Sequence, residues 1–276
     1  MKKKKNIIRI IIQVIFFATI TLFAINHSLA EVGKEFLPSV SLHAICPFGG
    51  VETFLSLITF GIIIKKIRLA SIVLMVIVLV LSVILGPVFC GWICPLGSLQ
   101  EWVGKIGKKL FKNKYNTMIP EKLDRILRYL RYVVLIVVTY ATFKSLTLVF
   151  VEYDPYYALF NFWTGEVALS ALIILIVIIL LSLIIERPWC KYLCPYGALL
   201  GLFNLISIFK IRRNTNTCID CKQCTNVCPM NIKVHTKTKI IDHQCIRCLE
   251  CTSEYTCPIE DTLDLKITIG EKQNED

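Results

Sequence analysis

The 276 residues contain no glycine-rich phosphate loop, no nucleophile elbow and no paired catalytic carboxylates, so hydrolase and kinase chemistry has no support. Histidine is scarce, with four in all, and His27, His235 and His243 form no constellation, which leaves them as surface or packing residues. No DNA-reading motif accompanies the net charge of +11, so nucleic acid is not an expected partner. Charge is also nearly absent from several long apolar blocks. The chain is 55% hydrophobic, with a mean hydropathy of +0.64, as expected for a membrane protein.

Cysteine, by contrast, is abundant. The last sixty or so residues carry two runs, Cys218-x2-Cys221-x2-Cys224-x3-Cys228-Pro229 and Cys245-x2-Cys248-x2-Cys251-x5-Cys257-Pro258. Three closely spaced thiolates wrap three iron corners of one cubane, and the fourth iron is reached by the distant Cys-Pro of the other run. The spacing therefore predicts two [4Fe-4S] clusters, one on Cys218, Cys221, Cys224 and Cys257, the other on Cys228, Cys245, Cys248 and Cys251. A zinc ribbon is built on two pairs, and a triplet followed by Cys-Pro does not match it. The two extra residues of the second run predict a small loop at Thr252 to Thr256. Thirteen cysteines, most of them metal ligands on the reducing side, argue against disulfides.

Apolar blocks at Ile7 to Ile25, Leu69 to Phe89, Tyr129 to Phe150 and Val167 to Ile185 approach the roughly twenty residues needed to cross a bilayer. Val51 to Ile64, with about fourteen apolar residues, fits an interfacial helix at the outer face better than a span. Lys2 to Lys5 with Arg9, and the basic stretch Lys105 to Arg131, belong on the cytoplasmic side, although Lys65, Lys66 and Arg68 then break the rule locally. The expected fold is an α-helical membrane bundle of four transmembrane helices plus an interfacial helix over 1–211, with both termini cytoplasmic. A small C-terminal α+β two-cluster ferredoxin domain covers 212–276. The first span has a rival reading as a signal peptide ending near Ser28-Leu29-Ala30, but its apolar run exceeds a signal core. From Asn214 to Asp276 seven Lys and Arg face ten Asp and Glu, about −3, leaving about +14 for the rest, which suits anionic lipid headgroups.

The membrane part repeats itself. Cys90-Gly91-Trp92-Ile93-Cys94-Pro95-Leu96-Gly97 recurs one hundred residues later as Cys190-Lys191-Tyr192-Leu193-Cys194-Pro195-Tyr196-Gly197. Each copy is expected to open an amphipathic helix, Pro95 to Phe111 and Pro195 to Phe209, with the second cysteine at the N-cap and proline at the first helical position. Free N–H groups there favour anions, which predicts thiolate character for Cys94 and Cys194. The four motif cysteines can bind an additional cluster or metal, or act as dithiols. Trp92, Trp189 and Tyr192 flank them and can shape a quinone pocket, although interfacial anchoring is the plainer reading. A degenerate third copy, Cys46-Pro47-Phe48-Gly49-Gly50 with His43 before it, reads as a structural turn.

These motifs together resemble the NapH/NosR-type membrane-bound 4Fe-4S ferredoxins, over nearly the whole chain. The resemblance implies a four-span, cytoplasm-facing iron–sulfur protein that participates in quinol oxidation and hands electrons to a redox partner. It makes the eight terminal cysteines cluster ligands and leaves the role of Cys90, Cys94, Cys190 and Cys194 open. NosR-type proteins carry a flavin-binding extracytoplasmic domain that the short Asn26 to Gly50 loop cannot hold. The copper-reducing relative that assembles cytochrome oxidase has an added C-terminal domain that does not follow Cys257 here. Quinol oxidation releases protons, for which Glu101, Glu186 and, on the opposite face, Glu152 and Asp154 are candidates. Two other functions compete with electron transfer between the quinone pool and a partner: thiolate-based copper reduction or assembly, and a redox-responsive membrane scaffold.

Overall fold

The computed structural model describes residues 2–31, 49–50, 69–145, 149–163 and 167–267. His43, Cys46 and the Val51 to Ile64 segment lie outside them. Helix α1 (Lys2–Glu31) leads into α2 (Leu69–Leu85), a π-helical turn at Phe89–Ile93, α3 (Pro95–Phe111), α4 (Glu121–Leu127) and α5 (Leu130–Ser145). Then come α6 (Pro155–Asn161), α7 (Leu169–Ser182), α8 (Pro188–Tyr192) and α9 (Pro195–Ile206). The C-terminal part holds β1 (Phe209–Arg213), the short α10 (Gln223–Asn226) and β2 (Leu263–Ile267). Strands β1 and β2 pair antiparallel, with Phe209 opposite Ile267 and Arg213 opposite Leu263.

The four-span bundle is not what the chain forms. Among the described residues only Ile7–Ala30, within α1, is long and apolar enough to cross a membrane; the other apolar helices are shorter. Helix α2 has 17 residues, α5 has 16 and α7 has 14. At 1.5 Å per residue these reach about 21 to 26 Å, short of a hydrocarbon core of about 30 Å. Hydropathy alone missed the backbone that stops them. Gly86, at φ 83°, and Pro87 close α2, and Arg187, left-handed at φ 52° before Pro188, keeps α7 apart from α8. Arg128 and Tyr129 form a turn that delays α5 to Leu130.

Two large apolar cores and a small one around Ile20, Ala24 and Phe160 result among the described residues. The first joins Val78 of α2, Leu96 of α3, Leu175 and Ile178 of α7, Trp189, and Tyr196 and Leu200 of α9. The second, inside the C-terminal part, contains Ile211, Met230, Ile232, Val234, Ile240, Ile246 and Leu263, and Cys90 and Cys190 reach into it from the helical part. Helix α1 packs Phe17 against Trp102 and Phe160, while Ile7, Ile8, Ile11, Val14 and Ile15 stay exposed on its outer face.

A buried ion cluster ties the parts together. Arg9 of α1 is 3% exposed and pairs with Glu101 of α3 and with Glu250 of the C-terminal part, while its Nε donates to the Gly91 carbonyl at 3.1 Å. Arg187 donates to the same Glu101 carboxylate at 2.6 Å and to the Cys90 carbonyl at 2.6 Å. A second cluster repeats the device: Asp124 of α4 accepts from Lys191 at 2.7 Å, from the Tyr192 hydroxyl at 2.5 Å and from Arg128.

Burial by itself pushes the Glu101 carboxyl up, but Arg187 and Arg9 outweigh it and hold it below its ordinary value of 4.5. Replacing Glu101 by Gln leaves two buried guanidinium groups without their shared anion. Such a broken pair costs about 3 to 5 kcal/mol, to be read from denaturant unfolding of the detergent-solubilised protein. Because the folded value is depressed, the wild-type contribution is present above about pH 4.5 and fades as pH falls through the folded value. Acid unfolding followed by circular dichroism should therefore be less steep in the Gln variant. A separate steric test lies where α3 crosses the end of α7: a Cβ at Gly107 would run into the Leu183 carbonyl oxygen. Gly107→Ala should cost about 1 to 3 kcal/mol by the same denaturant measurement.

Candidate functional site

The eight C-terminal cysteines divide between two cavities. Cys218, Cys221, Cys224 and Cys257 line the first, with Arg213, His235 and Pro258 beside them, around about 400 Å³ of space counting its open mouth. Cys228, Cys245, Cys248 and Cys251 line the second, of about 370 Å³, walled by Ile211, Met230, Ile232, Val234 and Ile240. In each run the middle cysteine is flanked by left-handed residues, Asp220 and Lys222 around Cys221, Arg247 and Leu249 around Cys248. This conformation costs a non-glycine residue about 1 to 2 kcal/mol, and its recurrence curls each run around its cavity. The predicted loop at Thr252 to Thr256 is a compact turn, with Cys257 N donating to the Ser253 carbonyl at 2.8 Å.

Among the described residues no three His, Cys, Asp or Glu side chains converge closely enough to hold a single metal ion. Four thiols around one space are the ligand set that a cubane takes. Burial pushes the Cys248 thiol up to about 12 and Cys228 higher, so these thiols keep their protons until bound metal displaces them.

The two Cys-x3-Cys-Pro copies come together at one place. Cys94 and Cys194 are N-caps of α3 and α9, with Pro95 and Pro195 at the first helical positions. The Gly197 N–H donates to the Cys194 sulfur at 3.2 Å, and the Gln100 amide donates to the Cys190 sulfur at 3.7 Å. Thiolate character at the helix starts is overturned. Burial dominates, pushing Cys94 up to about 12 and Cys90, Cys190 and Cys194 above the ordinary thiol value as well. Apolar surroundings outweigh the helix end because they remove the water that stabilises the anion.

Cys94, Cys190 and Cys194 open onto a third cavity, of about 500 Å³ counting its open mouth, lined by Phe89, Leu96, Phe150, Tyr156, Trp189, Tyr196 and Asp154. Asp154, expected on the opposite face from the motifs, stands in their cavity. It caps α6 by accepting from Tyr156 N at 2.9 Å, and burial pushes its carboxyl up to about 7. Glu152 is exposed. Glu101 is locked between two arginines, and Glu186, pushed up to about 7 by burial and then by Glu101, lies beside that cluster. None of the three flanking aromatics is an interfacial anchor. Trp92 donates to the Arg247 carbonyl at 2.9 Å, Trp189 is buried against Phe150, and Tyr192 bonds Asp124. Of the histidines, His235 bonds Thr225 and His243 packs between Tyr129 and Tyr132, in keeping with packing roles.

Sequence reasoning passed over Arg187 and Arg247 and read Arg9 and Arg131 only as topology signals; all four are 3% exposed or less. The available signal was a charge set next to, or inside, an apolar run.

The description "4Fe-4S binding domain" matches residues 67–114 and again 167–214, one copy over each Cys-x3-Cys-Pro motif. The description "4Fe-4S dicluster domain" matches residues 210–258. YccM of Escherichia coli K12, whose name assigns it to electron transport, is 32% identical over 73% of this chain and 57% of its own length. The uncharacterized protein MJ0750 of Methanocaldococcus jannaschii is 36% identical over 83% of this chain and 89% of its own. The ferredoxin-type protein NapH of Haemophilus influenzae is 28% identical over 64% of this chain and 62% of its own. The chain thus spans little more than half of YccM but most of MJ0750. No solved structure matches. The repeated motif, the dicluster segment and these relatives together mean that the chain belongs to the NapH/NosR-type family of 4Fe-4S iron–sulfur electron-transport proteins.

Proposed function

We propose that the chain is a membrane-anchored electron carrier with two [4Fe-4S] clusters in a domain over 212–276. Cys218, Cys221, Cys224 and Cys257 hold one, and Cys228, Cys245, Cys248 and Cys251 the other. The observation that carries this reading is the division of the eight thiols between two cavities, each completed by the Cys-Pro of the other run. When bound, the clusters supply one-electron chemistry. The protein's own residues supply the route. Cys90 and Cys190 share an apolar core with the second quartet, and a Cβ at Gly91 would stand 3.3 Å from Cys248 N. At the far end Cys221 is exposed, which suits contact with an outside redox partner.

The four motif cysteines serve as a third redox or metal site at the inner end of this route. Support comes from mutual charge effects: Cys90 responds to Cys94 and Cys190, and Cys194 to all three others. Quinol would bind in the aromatic cavity beside them and give two electrons to the motif site, one proton to Asp154 and the other to water at the open mouth. Helix α1 anchors the protein in lipid. A cytoplasmic ferredoxin part is supported by the Arg9–Glu250 pair, which joins it to the basic N-terminal end of α1, and by the tendency of basic ends to stay inside.

Anaerobically purified protein should carry iron and acid-labile sulfide and give a low-temperature paramagnetic signal after dithionite; colourless protein without sulfide would end the reading. With Cys224 and Cys251 both changed to Ser, residual iron and sulfide identify a cluster at the motif cysteines, whereas residual copper favours copper handling. N-terminal sequencing of the membrane-bound protein should begin ahead of Arg9, and a start just after Ala30 would remove the anchor.

A further inference from the structure

The second cysteine quartet sits beside a cation that no carboxylate neutralises. Arg247, between Cys245 and Cys248, is 1% exposed. Its side chain runs into the helical part, where Nε donates to Asn204 Oδ1 at 3.1 Å and Nη2 to Ser207 Oγ at 3.0 Å, while Nη1 has no acceptor. Both acceptors are neutral, and among the described residues Arg247 makes no ion pair. The buried Arg9, Arg187 and Lys191 differ in that each holds a carboxylate. A guanidinium taken out of water and met only by dipoles is expensive, and the usual remedy is an anion close by.

The backbone is shaped to admit this side chain. A Cβ at Gly86 would lie 2.6 Å from Arg247 Nε, so the glycine that closes α2 also makes the room. The chain itself ties Arg247 to the second quartet, two residues after Cys245 and directly before Cys248, and its carbonyl is held by the Trp92 indole N–H at 2.9 Å. The first quartet has no such neighbour. The arginine that lines its cavity, Arg213, is only half-buried and donates to the Lys237 carbonyl at 3.2 Å.

We propose that Arg247 is the fixed counter-charge of the iron–sulfur centre on Cys228, Cys245, Cys248 and Cys251, and raises its reduction potential so that electrons collect there. This rests on the reading of the quartets as cluster ligands. Reduction adds one electron and no proton, so the centre becomes more negative by one charge. A buried positive charge close by then stabilises the reduced form more than the oxidised one, in surroundings where water screens little.

The test is a dithionite titration of the full-length protein under anaerobic conditions, with each centre followed by its paramagnetic signal. Arg247→Gln keeps a hydrogen-bonding side chain but removes the charge. It should lower the reduction equilibrium of one centre about tenfold, or about 59 mV for a one-electron couple, and leave the other unmoved. Arg247→Lys should fall much less. Asn204→Asp supplies the missing carboxylate without touching Arg247, and should lower the same centre even if the Gln variant fails to assemble. The signal that moves should be the one lost in Cys251→Ser. Unmoved potentials in the Gln and Asp variants, an equal fall of both centres, or a Lys variant as affected as Gln would overturn the counter-charge. Wild-type protein without any signal would instead remove the cluster reading beneath it.

Discussion

The carboxylate of Glu101 is where the separate parts of this molecule meet. It is one anion shared by two buried guanidinium groups, Arg9 from the N-terminal helix and Arg187 from the start of the second motif. Each arginine also donates to a backbone carbonyl of the first motif, Gly91 for Arg9 and Cys90 for Arg187. Arg9 continues to Glu250, next to Cys251. Buried ions are stable only when their partners are correctly placed, so the cluster tolerates few alternative arrangements. The two motifs, the N-terminal helix and the ferredoxin part are thereby held in one register, and electron transfer between neighbouring sites needs that fixed spacing.

The same low-polarity interior governs the sulfur chemistry. Burial keeps the motif thiols and much of the second quartet protonated, against the pull of two helix N-termini. A metal or cluster bound there would displace those protons, so its binding would depend on pH. Glycine sets how closely the parts approach. A side chain at Gly91 would strike the Ile246 carbonyl oxygen, one at Gly97 the Arg187 guanidinium, and one at Gly201 the Arg131 guanidinium. These glycines look like ordinary helix and turn residues in the sequence, and their role is to let backbone and cation come near the cysteine loops.

Much of this arrangement was legible along the chain, and its limits have physical reasons. Each C-terminal triplet faces one space because its cysteines lie three apart in a tight loop, and the exchange of the fourth cysteines between the runs follows the two-cluster ferredoxin pattern. The repeat announced its own geometry: in both copies the cysteine before proline is an N-cap and Pro95 and Pro195 take the first helical positions, whereas Cys228-Pro229 and Cys257-Pro258 start no helix. Span length was misread. Apolar counting sums side chains, whereas Gly86 closes α2 and Arg187 starts α8 through positive φ, a property of the backbone in its folded context.

Local spacing and composition thus determined the grouping of the C-terminal thiols, the helix starts and, among the described residues, the one helix long and apolar enough to cross a membrane. Folding alone decided which distant charges became neighbours: Arg9 and Glu101 are 92 residues apart, and Arg9 and Glu250 are 241. It also decided that Asp154 faces the motif cysteines and that Arg247 is sealed beside the second quartet without a carboxylate. Contacts of that kind leave no periodic or spaced trace in the chain, because each depends on the packing of several elements at once.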